Sequence, residues 1–223
     1  MATLEQLLHE PLSALLHLLG ALFALPGLAL LLAMSRHDAG RLISLMVYGF
    51  SLVSLYGAST LLHGLKVPPR LHNWLNRLDH MAIFFLIAGT YTPIVYNLFP
   101  SRWRWPVLVA VWGIAFVGMA YKLTSMRIHG FFNVSVYMIL GWGALPLALA
   151  LRLLPIISPA GLGLLLLGGL IYSAGFVIYY LEWPDPWPNV FGHHEIWHLF
   201  VLGGSLCHYL FMLLFVAPAN PLL

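Results

Sequence analysis

Charge is what this chain has least of. Ten Lys and Arg and seven Asp and Glu make up 8% of its 223 residues, where an ordinary soluble domain carries about 25%. A compact soluble body of this length cannot cover its surface with so few charges, so one large soluble domain or two small ones are excluded. Cysteine is nearly absent too. Cys207 stands alone, which excludes an intramolecular disulfide scaffold and leaves the redox compartment unmarked. The few basic residues are scattered and form no stripe that would bind nucleic acid. Soluble linkers are missing as well, which predicts a single domain over residues 1–223 with no soluble appendage.

What is present is apolar sequence in long runs, 61% of the chain. A helix crosses the roughly 30 Å hydrocarbon core with about 20 residues. Seven runs meet that length or approach it: Leu12–Met34, Leu42–Leu65, His80–Phe99, Pro106–Tyr121, Gly130–Leu151, Gly161–Leu181 and His194–Ala217. Of the formal charges only Glu195 falls inside a run, at its end, consistent with a cost of at least ~2.5 kcal/mol for a charge at mid-bilayer. The fold expected is therefore all-α, a polytopic membrane protein built as a seven-transmembrane helix bundle. The first run is too long for a signal-peptide core and no clear cleavage site follows it, so it reads as a retained helix. Pro26, Pro93 and Pro146 lie inside runs as expected kinks. Trp103, Trp105, Trp183 and Trp187 lie near the ends, as an interfacial aromatic belt would. The glycines from Gly161 to Gly169 read as a close-packing face, within one bundle or between two. Charge does not choose the orientation: Lys66, Arg70, Arg77, Lys122 and Arg127 on the N-terminal side balance Arg36, Arg41, Arg102, Arg104 and Arg152 on the other.

Histidine is the exception to this polar poverty, with eleven residues. His9, His37, His72 and His129 fall in loops, where solvation at the interface accounts for them. His17 and His208 fall within spans and read either as hydrogen-bonded packing residues or as the outer part of a site. Four others, His63, His80, His194 and His198, form a pattern. Ser59 and His63 close the second span, Asp79 and His80 open the third, and His194 and His198 open the seventh. Seven-span parity puts these three ends at one membrane face. Ser59 and His63 share a helix face at i,i+4, as do His194 and His198, so three imidazoles converge beside a carboxylate and a hydroxyl.

Three neutral histidines with an open fourth position form a catalytic zinc set. In that setting Asp79 is placed to act as general base on a zinc-activated water, and Ser59 to donate to that water or to an oxyanion. The bland alternative is that the histidines only bridge helices through hydrogen bonds. His194-Glu-Ile-Trp-His198 also matches HExxH, which makes Glu195 a rival base in a metalloprotease reading. That reading lacks its downstream ligand: Gly204 occupies the metzincin position, and His208 lies about 15 Å along the helix from His198. Glu195 at a helix N-terminus also has a simpler role, interacting with the helix dipole.

Ser59-x-x-x-His63, Arg77-Leu-Asp79-His-Met-Ala-Ile, Ala88-Gly-Thr-Tyr-Thr-Pro93, Gly141-Trp142 and Phe191-Gly-His-His194-Glu-Ile-Trp-His198-Leu-Phe-Val together resemble the hemolysin III family. That family is the bacterial branch of the adiponectin and progestin receptor superfamily, and the resemblance runs from span two to span seven. Glu10 and His17 fit its N-terminal pattern, with Ser13 where Asn is usual. The resemblance implies a seven-helix bundle in a bacterial inner (plasma) membrane with a cytoplasmic N-terminus. It also implies zinc near the cytoplasmic face on His63, His194 and His198, with Asp79 and Ser59 around a metal-bound water. Similarity of the superfamily to alkaline ceramidases implies a hydrolase of a lipid amide or ester, so the expected partner is a membrane lipid. Two other functions stay open at this point: a membrane sensor with structural zinc, and a lytic protein as the family label suggests. No long amphipathic segment supports the last.

Overall fold

The computed structural model describes residues 8–124, 131–151, 157–188 and 190–218. Arg127, His129 and Arg152 lie outside the described residues. The described chain is helical: α1 Pro11–Ser35, α2 Ala39–Gly64, α3 Pro69–Leu98, α4 Ser101–Thr124, α5 Phe131–Trp142, α6 Ala144–Ala150, α7 Pro159–Leu181 and α8 His193–Phe211, which continues as a π-turn over Met212–Val216. Among the described residues six helices are long and apolar enough to cross a membrane, and Ser135–Ala150 forms a shorter apolar segment. The protein is an integral membrane helical bundle.

Local chemistry sets the helix ends. Pro11 and Pro69 open α1 and α3 at the first helical position, where a missing N–H costs nothing. Asp38 caps α2 by accepting from the Arg41 amide at 3.0 Å, and Ser158 caps α7 by accepting from the Gly161 amide at 3.2 Å. Pro26 and Pro93 are carried inside continuous helices. The fifth apolar run is interrupted at Gly143, and Pro146 is the reason. It has no N–H for the Trp142 carbonyl and its ring crowds that same group.

Two boundaries differ from the hydropathy expectation. α3 starts at Pro69 rather than His80, and α4 runs from Ser101 to Thr124 rather than 106–121. Both overhanging stretches carry basic residues (Arg70 and Arg77, Arg102 and Arg104), which helices tolerate beyond the hydrocarbon. One consequence is that Lys122 is not a loop residue: it is buried, with its ammonium 5.6 Å from the centre of the Tyr137 ring.

α2 sits between α1 and α3, α4 lies against α3, and α7 packs on α8, which also meets α1. Large apolar side chains such as Phe23, Val109, Val117 and Ile139 are exposed, as expected where lipid is the solvent. Polar groups tie neighbours together inside: Asn97 donates to Ser44 at 3.0 Å, Trp112 to Thr92 at 3.1 Å and Trp142 to Ser173 at 3.0 Å. Each such bond is worth on the order of 0.6–2 kcal/mol in a bilayer. His208 belongs to this packing, its ring seated over Gly168 and its Nε2 3.4 Å from the Leu165 carbonyl.

The α2–α3 contact sets how closely Ser59 and Asp79 approach. It is close at Gly89, where a Cβ would overlap the Ser51 hydroxyl and stand 2.7 Å from the Ser51 Cβ. Gly89→Ala is expected to destabilise the protein by about 1–3 kcal/mol through overpacking. Adding Ser51→Gly should recover most of the loss, a coupling that a double-mutant cycle of melting temperatures would measure.

Candidate metal centre

The last turn of α2, the third turn of α3 and the first two turns of α8 meet at one end of the bundle. His194 and His198 are one turn apart on the same face of α8, with ring centroids 4.7 Å apart. The His63 ring is 4.9 Å from His194 and 5.0 Å from His198. The three rings thus form a nearly equilateral triangle, and one nitrogen from each lies within 4.8 Å of the others. Among the described residues this group holds these three histidines alone. His63 and His198 are buried, and the buried Nε2 of His194 has no hydrogen-bond partner among the described residues. A buried polar atom without a partner costs about 1–3 kcal/mol, and a cation at the centre of the triangle would satisfy it. The residues fit a metal ion.

Ser59 is one turn before His63, buried, and lies beside Asp79. Asp79 faces His63 from α3 without joining the histidine group. His80, its neighbour, turns away: its Nδ1 lies 2.9 Å from the Asn76 carbonyl, and its own carbonyl accepts from Tyr137 at 3.1 Å. Tyr179 brings an aromatic wall to within 5.8 Å of the His194 ring centre.

Glu195 does not look inward. Its Oε2 accepts from the Gly192 amide at 2.9 Å, half of a capping box at the start of α8. Its Oε1 accepts from the Ser13 hydroxyl at 2.6 Å. The carboxylate of the HExxH motif is occupied in capping α8 and holding α1.

The N-terminal turn of α1 contributes more than its sequence suggested. The Glu10 Oε2 is 2.5 Å from His63 Nδ1, and the Glu10 amide donates to the His63 carbonyl at 2.7 Å. That side-chain hydrogen bond from His63 holds the Glu10 carboxyl well below its usual range, at about 2. The Ser13 carbonyl lies 3.3 Å from His198 Nδ1. His17 stacks on His198 with centroids 3.9 Å apart and planes 4° from parallel. Both His17 ring nitrogens are buried without a hydrogen-bond partner among the described residues. Glu10, Ser13 and His17 follow at i, i+3 and i+7, one face of a helix, which is the only local signal that they act together. A cleft of about 460 Å³ opens beside His194, bordered by Glu10, Asp185, Gly192, His193 and Glu195.

The sequence model of the family described as "Haemolysin-III related" matches residues 5–209. The chain belongs to this family. It is 34% identical over 217 residues to the hemolysin-3 homolog of Bacillus subtilis (strain 168), covering 96% of this chain and 97% of that protein. It is 35% identical over 221 residues to hemolysin-3 of Bacillus cereus, covering 98% and 97%. The human monocyte to macrophage differentiation factor is 29% identical over 195 residues, covering 83% of this chain and 75% of that protein. The haemolysin-III match includes all three histidines, Ser59 and Asp79, and begins before Glu10.

Proposed function

We propose that this haemolysin-III-related protein is a zinc-dependent hydrolase of a lipid amide or ester. The observation that carries this reading is the triangle of His63, His194 and His198, with a carboxylate beside it that the triangle does not absorb. Three imidazoles without a thiolate suit zinc among the divalent metals, and three protein ligands are the count of a catalytic rather than a structural site. Zinc held there supplies Lewis-acid chemistry, activating water near neutral pH and polarising an acyl carbonyl. The chain's own residues do the rest. Asp79 takes the proton of the attacking water and returns it to the leaving amine or alcohol. Ser59, beside Asp79, is placed to donate to the attacking water or to an oxyanion. The exposed apolar flanks of the helices leave acyl chains in the bilayer while the headgroup linkage reaches the polar end.

The first test is metal content. Purified wild type is expected to carry about one zinc per chain by elemental mass spectrometry, and His63→Ala and His198→Ala close to none. Metal-free wild type, purified without chelator, would remove the basis of the proposal.

A non-enzymatic sensor with structural zinc is the second reading, favoured by the way the histidines join α2 to α8. It requires a fourth protein ligand, and the described residues offer three histidines in the group. The names of the Bacillus relatives raise membrane lysis, which dye release from liposomes holding the purified protein would reveal. We further place the protein in the plasma membrane with seven spans and a cytoplasmic N-terminus, the short Ser135–Ala150 segment supplying the fifth span. A reporter fused to the C-terminus should then read as external, and a cytoplasmic signal would refute this topology.

A further inference from the structure

We infer that the N-terminal turn of α1 is the outer shell of the metal centre, with Glu10 as the positioning residue for His63. The inference rests on the metal-site reading above and concerns how the ligands are held. An imidazole that binds a metal through one nitrogen is oriented, and made more basic, by what its other N–H meets. Here His63 Nδ1 meets the Glu10 carboxylate at 2.5 Å, and His198 Nδ1 meets the Ser13 carbonyl at 3.3 Å. Both rings are therefore held as the tautomer with hydrogen on Nδ1, and both offer the lone pair of Nε2. Two ligands from helices distant in sequence are aligned by one short segment.

That segment is itself anchored at three points. The Glu10 amide donates to the His63 carbonyl at 2.7 Å, so backbone and side chain of Glu10 grip the same residue. The Ser13 hydroxyl donates to Glu195 Oε1 at 2.6 Å, and Glu195 is fixed by the Gly192 amide at 2.9 Å. His17, one turn beyond Ser13, lies flat on the His198 ring at 3.9 Å and restricts its tilt. This network also assigns the HExxH glutamate. Glu195 acts by holding the segment that orients His198, not as a base at the metal.

The test is zinc affinity, by competition with a chromophoric chelator, of wild type, Glu10→Gln and Glu10→Ala protein in detergent. Outer-shell partners typically contribute 10–100-fold to affinity. Glu10→Ala is expected to weaken binding by about that factor, and Glu10→Gln, which keeps an acceptor but not its charge, by less. The visible bands of the cobalt-substituted protein should shift in Glu10→Ala and only slightly in Glu10→Gln. The metal-free forms of wild type and Glu10→Ala should melt within a few degrees of each other. Equal zinc affinity and unchanged cobalt bands in Glu10→Ala, with a lower melting temperature of the metal-free form, would make Glu10 a structural tie and overturn the inference while leaving the metal site intact. Wild type that binds neither zinc nor cobalt would overturn both.

Discussion

Asp79→Asn is expected to keep wild-type zinc content and lose lipid amide or ester hydrolysis by about 10²–10⁴-fold, the range of a positioned general acid–base group. The substitution is nearly isosteric, so the packing of α2 against α3 is kept. What disappears is the ability to take and return a proton. Ser59→Ala should cost less, since it leaves the carboxylate in place. The pair also separates the competing readings. A fourth metal ligand at position 79 would make Asp79→Asn lose zinc. A sensor with structural zinc would show no turnover to lose. Turnover at the wild-type rate by a folded, zinc-loaded Asp79→Asn protein would end the role of Asp79 as base.

The spans were legible because a bilayer demands apolar length, and length survives without knowledge of packing. Helix length was less legible. Hydropathy marks the depth of lipid, so it reads a span from His80, whereas the helix that carries it starts three turns earlier at Pro69. Pro146 announced a disturbance in the fifth run but not that the helix would break at Gly143. The meeting of the histidines was expected from two simple premises, the i,i+4 spacing on α8 and the parity that seven crossings would have, and neither depends on side-chain detail. The closure of α1 over them does depend on it. The Glu10–His63 and Ser13–His198 contacts join residues 53 and 185 positions apart. α1 is apolar nearly all round, so periodicity could not say which face turns inward. For the same reason the HExxH string pointed towards a base at Glu195, when that side chain points along the helix end to Gly192 and Ser13.

Removing the metal should lower the melting temperature of wild type by roughly 10 °C, and of His63→Ala hardly at all. A ligand that binds only the folded state stabilises it by RT ln(1 + [L]/Kd), about 4 kcal/mol when free zinc is a thousandfold above Kd. For a chain of 150–250 residues each kcal/mol shifts the midpoint by about 2–4 °C. The effect should be global because of where the ligands come from. His63 ends α2 while His194 and His198 begin α8, so the centre ties the α1–α2–α3 layer to the α7–α8 pair. Without the cation, three imidazoles crowd one another and the buried Nε2 of His194 loses the partner that the site provides for it. His63→Ala is expected to melt below wild type before any chelator is added, since it lacks the metal and strands Glu10. Its insensitivity to chelator therefore matters more than its absolute midpoint. A chelator that strips zinc from wild type without moving its midpoint would mean that the ion contributes nothing to the joint between α2 and α8, and that the histidine triangle is held by helix packing alone.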